Sequence, residues 1–385
     1  MSEKKKLIPK PLEPIIFLVI FFAIAGPMAH IMGAKNMVRT IMATGHDLII
    51  NTCFFLMAVC VIAGALSALL IEFGIVAALE KILKIFMKPV FNLPGAAALG
   101  GVMTFFSDNP SIIALARDRS FARYFKKYQL VSLTNFGTAF GMGLVVVAFM
   151  ASQGYGSGAA VGVIGAVIGS IISTRLMQRF TLKANPELDA PVSENSGDEQ
   201  QISFKSEGSV FLRFLNSILD GGKDGVGIGL AIIPGVLVIS TIVMMLTFGP
   251  SGANGEYTGA AYEGVPAITW AASKIQVVFQ WLFGFDYPQL ISFPITALGA
   301  VGAALGLIPR FVSEGIIDNN AIAVFTAMGM CWSGYLSTHA AMLDSMGHRP
   351  LISKAIIAHT IGGLFAGISA HWLFVLFAWV GGMIH

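Results

Sequence analysis

The pentapeptide Ser107-Asp108-Asn109-Pro110-Ser111 sets a carboxylate, an amide and two hydroxyls between the apolar stretches 103–106 and 112–115. An ionised group at membrane depth costs about 2.5–3.5 kcal/mol, so one retained there points to a site. Asp108 can bind Na⁺ or take up a proton as that site opens and closes. Pro110 lacks an N–H, which breaks the local helix ladder and frees carbonyls for a ligand or ion. Asp108 can equally cap the next helical turn near the cytoplasm, and the two roles are compatible.

Thr134, Asn135 and Thr138 fall about one helical turn apart in a following apolar span. They can offer an amide and hydroxyls to a polar substrate or cation, or hydrogen-bond between helices with Asn109 or Ser111. In the second half Ser333, Ser337, Thr338 and His339 take the equivalent position. His339 and His359 lie in neighbouring spans and can shuttle a proton, bind substrate or pack as hydrogen-bonded residues. The candidate substrate and ion set is therefore Ser107, Asp108, Asn109, Ser111, Thr134, Asn135, Thr138, Ser333, Thr338, His339 and His359. Asn51 reads as a packing residue. Asp286, Glu314 and Asp318 read as solvated groups or as a cation-attracting mouth. Cys53, Cys60 and Cys331 have no metal-ligand spacing and read as buried, inert thiols. No metal and no cofactor is expected beyond a coupling Na⁺ or H⁺.

The elements that must position these groups follow from composition. Of 385 residues, 55% are hydrophobic and 12% charged, with a mean hydropathy of +0.77. Soluble domains carry about 25% charged residues, so a soluble enzyme, a nucleic-acid binder and a disordered chain are excluded. The 24 Lys and Arg nearly balance 21 Asp and Glu, and no polyanionic partner is implied. The 43 glycines suit closely packed membrane helices.

A bilayer core needs about 20 apolar residues per helix. Spans are expected over 15–33, 48–70, 128–151, 157–178, 226–248, 321–341 and 352–380. The first follows Lys4, Lys5, Lys6 and Lys10 and is read as a retained helix. The stretches 93–116 and 290–309 carry Pro and Gly in mid-segment and are expected to be broken helices or re-entrant hairpins, tolerated only where protein buries them or they line a cavity. Amphipathic stretches before each, 77–90 and 267–283, are expected to lie along the interface. The polar stretch 181–224 reads as a flexible linker.

Basic residues set the orientation. The loop 117–127, the N-terminus and Lys81, Lys84 and Lys88 fit the cytoplasm, whereas the loops near 151–157 and 249–265 lack basic residues and fit the outside. Lys35 and Arg39 fall in an expected outside loop and count against this assignment. The order of amphipathic helix, broken hairpin, polar span and Gly-rich span recurs about 200 residues on, with equivalent spans pointing oppositely. The expected fold is an all-α polytopic membrane protein of two inverted-topology repeats plus one N-terminal helix. Its divisions are 1–40, a first repeat over 41–180, a linker over 181–225 and a second repeat over 226–385. The N-terminus and linker are placed in the cytoplasm and the C-terminus outside.

The amphipathic helix, the broken hairpin with Ser107–Ser111 and the span with Thr134-Asn135-Phe136-Gly137 resemble the nucleoside-recognition Gate domain superfamily, and within it the YjiH-type bacterial membrane proteins. The resemblance covers roughly 48–176 and 226–377. It implies a transport role in the bacterial cytoplasmic (inner) membrane, with a small solute and the lipid bilayer as partners and no nucleic acid. No G-x-x-x-x-G-K-[ST] occurs, which excludes the GTPase-linked iron-transporter variant. The expected activity is secondary transport of a nucleoside, small peptide, amino acid or cation by alternating access. The alternative is a non-transporting scaffold or subunit of an envelope or sporulation complex. An intramembrane enzyme would need a nucleophile–base or metal constellation, and none is visible. Self-association or a partner membrane subunit is also expected.

Overall fold

The computed structural model describes residues 12–193 and 208–384. Lys4, Lys5, Lys6, Lys10 and the middle of the expected linker lie outside the described residues. The described residues form helices and no strand. Six helical stretches among them are long and apolar enough to cross a membrane: Glu13–Met32, Ala34–Glu72, Lys127–Ser152, Gly156–Ala184, Val210–Thr247 and Arg349–Gly381. The chain is therefore a membrane protein by length and composition.

In the first half, α1 (Glu13–Met32) is apolar on all sides and ends at Gly33, whose φ of 77° stops the helix. The helices α2 (Ala34–Asp47) and α3 (Phe54–Glu72) follow as one rod through a π-helical turn. Lys35 and Arg39 thus sit in a helix and not in a loop. The amphipathic α4 (Ile75–Phe86) leads to α5 (Ala97–Phe106), α6 (Pro110–Arg117) and the single turn α7 (Arg119–Ala122). Next come α8 (Lys127–Thr138), α9 (Gly143–Ser152) and the 29-residue α10 (Gly156–Ala184).

The second half follows the same order. The rod of α11 (Val210–Gly235) and α12 (Thr241–Thr247) precedes α13 (Ala267–Ser273) and α14 (Gln276–Phe283). The broken segment is α15 (Ser292–Gly299), α16 (Val301–Leu305) and α17 (Ile308–Ser313). Then come α18 (Asn319–Cys331), α19 (Tyr335–Ser345) and α20 (Ile352–Ile384). Helix α11 begins at Val210, so helix occupies residues the sequence reading assigned to the linker up to 225. The boundary expected at residue 40 likewise falls inside α2.

Glycine decides how the long helices meet. Gly64 packs on Gly221 and Gly225, Cys60 on Gly225, and Met57 on Gly229, so α3 and α11 run antiparallel with backbones in contact. Gly165 faces Ala366 and Ala370, and Gly169 faces Gly362, which sets α10 antiparallel to α20 in the same way. Every residue of α18 from Asn320 to Cys331 is buried, which puts this helix at the centre of the bundle. Phe293 stacks on Phe325 there at 4.2 Å between centroids.

The loop 249–265 docks onto α2. Asn36 Nδ2 donates to the Tyr257 carbonyl at 2.7 Å, and the Tyr262 hydroxyl bonds the Asp47 carboxylate. Asp286, Glu314 and Asp318 are structurally engaged. Asp318 accepts from Ala321 N–H at the start of α18, Glu314 pairs with Arg310, and Asp286 accepts from Gln280. The three cysteines are free and buried.

Candidate functional site: two broken helices meeting at Asn109

Three breaks converge. The first is Ser107–Asn109, between α5 and α6. There the Ser107 hydroxyl donates to the Met103 carbonyl at 2.7 Å and meets Ser111 Oγ at 2.6 Å, which holds the two short helices together. The second separates α8 from α9, where Met142 adopts φ 54° and tight turns replace the helix ladder. The third separates α18 from α19 at Ser333-Gly334, with Gly334 at φ 61°. The sequence pattern reads 128–151 and 321–341 as continuous spans, and the structure interrupts both. Their signals were Gly141-Met142-Gly143 and Ser333-Gly334; Gly334 itself takes the left-handed conformation, whereas at the first of these breaks Met142 does so between two glycines.

Asn109 joins all three. It is 4% exposed, and its Nδ2 donates to the Ser333 carbonyl at 3.0 Å. A β carbon on Gly141 would lie 2.7 Å from Asn109 Cγ, and one on Gly334 would strike Asn109 Nδ2 and come within 2.5 Å of Thr338 Oγ1. Both positions therefore require glycine for Asn109 to sit there. Asn109 Oδ1 is buried with no partner. A buried amide oxygen without a donor costs about 1–3 kcal/mol, which is tolerable where a ligand supplies the donor.

Asp108 is half-buried, and its carboxylate accepts the Asn109 N–H at 2.7 Å. Asn109, not Asp108, is the cap position of α6, and no side chain caps that helix. The capping role expected for Asp108 is thus not adopted. Pro110, Leu336 and Ser337 beside the breaks are exposed. The N-terminal ends of α6, α9 and α19 and the C-terminal ends of α5, α8 and α18 flank this point. Helix N-termini favour acceptors and negative charge, and C-termini favour donors and cations. The arrangement suits an uncharged solute that both donates and accepts hydrogen bonds.

The remaining candidates form a second, fully buried group. Asn135 Nδ2 donates to Ser173 Oγ and to the Ala355 carbonyl, each at 2.9 Å. The expected partners Asn109 and Ser111 are not the ones it finds. Ser173 Oγ lies 2.8 Å from His359 Nδ1, and His359 Nε2 bonds the Cys331 carbonyl, the last of α18 before its break. A carbonyl only accepts, so Nε2 carries the hydrogen and Nδ1 accepts from Ser173. His339 Nδ1 bonds the Tyr335 carbonyl, and its Nε2 has no partner. The two imidazoles stand 4.6 Å apart between centroids. Thr138 donates to the Thr134 carbonyl at 2.6 Å, and Thr134 Oγ1 is buried without a partner. Ser107, Asp108, Asn109, Ser111, Ser333 and Thr338 thus gather at the breaks, whereas Asn135, His339 and His359 form a separate network. Ser173 and Tyr335 were missed because neither sits in an unusual local pattern.

No group of three or more His, Cys, Asp or Glu side chains able to hold a metal occurs among the described residues.

No curated protein matches the chain. Among solved structures the chain is similar to CNTnw in an inward-facing substrate-bound state, with 12% identity and a TM-score of 0.52 over 94% of this chain and 87% of that one. It is similar to a CNTnw variant in an intermediate state at 13% identity and TM-score 0.52, covering 94% and 85%. A CNTnw variant in an outward-facing state gives 14% identity and TM-score 0.52 over 93% and 84%. These likenesses establish a shared fold. Residues 53–154, which run from the first rod through the Asn109 break to the end of α9, match the family model Gate, described as nucleoside recognition.

Proposed function

We propose that the chain is a secondary transporter of a small polar solute, with a nucleoside as the class the Gate segment favours. The observation that carries this reading is Asn109: a buried amide held between two broken helices with its oxygen unpartnered. A nucleoside offers the hydroxyl and amino donors that such an oxygen lacks. Transport proceeds by alternating access, coupled to Na⁺ or H⁺, with Asp108 as the ion-responsive group beside the solute.

The two halves act as inverted-topology repeats with re-entrant hairpins at 97–117 and 292–313. Matching element order supports this, as does the antiparallel packing of α3 on α11 and of α10 on α20. The N-terminus and linker then face the cytoplasm and the C-terminus faces outward across a bacterial cytoplasmic membrane. A non-transporting scaffold would close every polar group. The Asn135 amide nitrogen is closed in this way, although its oxygen, like that of Asn109, has no partner; the place of Asn109 at the helix breaks, with the half-buried Asp108 beside it, favours a site that opens.

The test is uptake of labelled uridine and adenosine into proteoliposomes under an imposed Na⁺ or pH gradient. Gradient-dependent uptake that disappears in Asn109→Leu supports the reading. Absence of uptake and of any nucleoside-induced stabilisation in the folded wild-type protein overturns it.

A further inference from the structure

A cavity of about 230 Å³ lies between α4, the first broken segment, α8 and α10, and Asn109 is not one of its lining residues. Its walls include Leu83, Met87, Phe91, Val102 and Phe136, and no polar side chain lines it. Leu79 and Leu83 line the cavity and are also exposed, so it opens to the outside of the helix bundle. An apolar cavity of about 150 Å³ stays free of water and takes up benzene, so this larger one calls for an apolar occupant. Left empty, its walls would lose their dispersion contacts.

The surroundings identify that occupant. Ile82, Ile85 and Phe86 of α4 are exposed large hydrophobic residues on the same helix that walls the cavity. Lys81 and Lys88 are exposed together on the polar side of this amphipathic helix and its π-helical continuation, round the circumference from the lining residues Leu79, Leu83 and Met87. A helix with exposed apolar side chains and lysines at their margin lies at the level of lipid headgroups, where lysines meet anionic lipid. Arg175 of α10 holds the π-helical turn that follows α4 through the Pro89 and Val90 carbonyls at 2.8 and 2.9 Å. We propose that the cavity holds an acyl chain of an anionic phospholipid whose headgroup phosphate rests on Lys81 and Lys88. The chain occupies the space against Gly101, Phe136 and Phe140 and braces the first broken segment on α8.

The proposal rests on the membrane placement of the chain and not on its transport, so its test uses binding alone. Delipidated full-length protein in detergent is melted with added phosphatidylglycerol or with phosphatidylcholine of identical chains. Phosphatidylglycerol is expected to raise the Tm by several degrees and phosphatidylcholine by clearly less. Val102→Trp fills the cavity and is expected to abolish the response to both lipids. The exposed double variant Lys81→Gln/Lys88→Gln keeps the fold and is expected to erase the difference between them. Equal shifts with both lipids in the wild-type protein, or an undiminished preference for phosphatidylglycerol in the lysine variant, would overturn the proposal. An undiminished response in folded Val102→Trp would also overturn it.

Discussion

Asn109 donates from Nδ2 to the Ser333 carbonyl at 3.0 Å across 224 residues of sequence. This bond ties the tip of the first broken segment to the break in the second half. A movement of either half that opens the site must lengthen or release it.

Gly334→Ala tests that junction. The new methyl meets Asn109 Nδ2 and Thr338 Oγ1, and the residue must hold φ 61° without glycine. Such left-handed strain costs about 1–3 kcal/mol. We expect a lower Tm in detergent together with loss of solute binding. Retention of full binding at unchanged Tm would show that Asn109 can move away from the break at no cost.

Asp108→Asn separates charge from shape. The asparagine can still accept the Asn109 N–H, so the fold should survive with Tm unchanged within the equivalent of about 0.5 kcal/mol. Dependence of uptake on the imposed ion gradient should disappear. Gradient dependence that persists in the variant would remove Asp108 from coupling.

Asn135→Leu acts on the second network. It leaves Ser173 Oγ and the Ala355 carbonyl without their donor. The expected loss is about 1–3 kcal/mol of stability. Solute affinity per folded molecule should be unchanged in a binding assay. A fall in affinity with no fall in Tm would instead move Asn135 into the solute site.

Glu263 gives the loop 249–265 a pH dependence. Burial alone would raise its pKa, but hydrogen bonds from the hydroxyls and N–H groups of Ser251 and Thr258 outweigh burial and hold it at about 2. A depressed pKa means that the carboxylate's contribution is present above its ordinary value near 4.5 and is lost as pH falls from there toward 2. Proteolytic cleavage within 249–265 should be slow and constant from pH 8 to 5. Acid-active protease should cut faster as pH falls below about 5, where the unfolded carboxyl begins to protonate. Glu263→Gln should be cut readily at neutral pH. Equal resistance of variant and wild type would show that other contacts hold the loop.

Much of the architecture was legible from local pattern. The apolar runs placed both ends of Glu13–Met32, Lys127–Ser152 and Arg349–Gly381 within a few residues and fell short of one end of the other three long spans, and Pro110 with its neighbours marked the first break. The interruptions at Met142 and Gly334 were not read, because glycine in a Gly-rich apolar span also serves close helix packing. That is its use at Gly64, Gly165 and Gly169. The two meanings look alike until the neighbour is known. The start of α11 differs from the sequence reading for another reason: its first turns set Val210, Phe211, Leu212, Phe214 and Leu215 among Arg213, Asn216, Ser217, Asp220, Lys223 and Asp224, too polar a mixture for a continuous apolar run, though helix begins at Val210.

The sequence by itself determined that the chain is a membrane protein. It also singled out polar side chains that hydrocarbon would not tolerate without a partner or a task. Both follow from composition and spacing, which are local. Only the tertiary structure decided which of those side chains meet. Asn109 and Asn135 look equivalent as buried amides, yet one sits against two helix breaks and the other bonds Ser173 and Ala355. The difference arises because a helical side chain finds its partner through the rotation and depth of its helix, and packed small residues far along the chain set both.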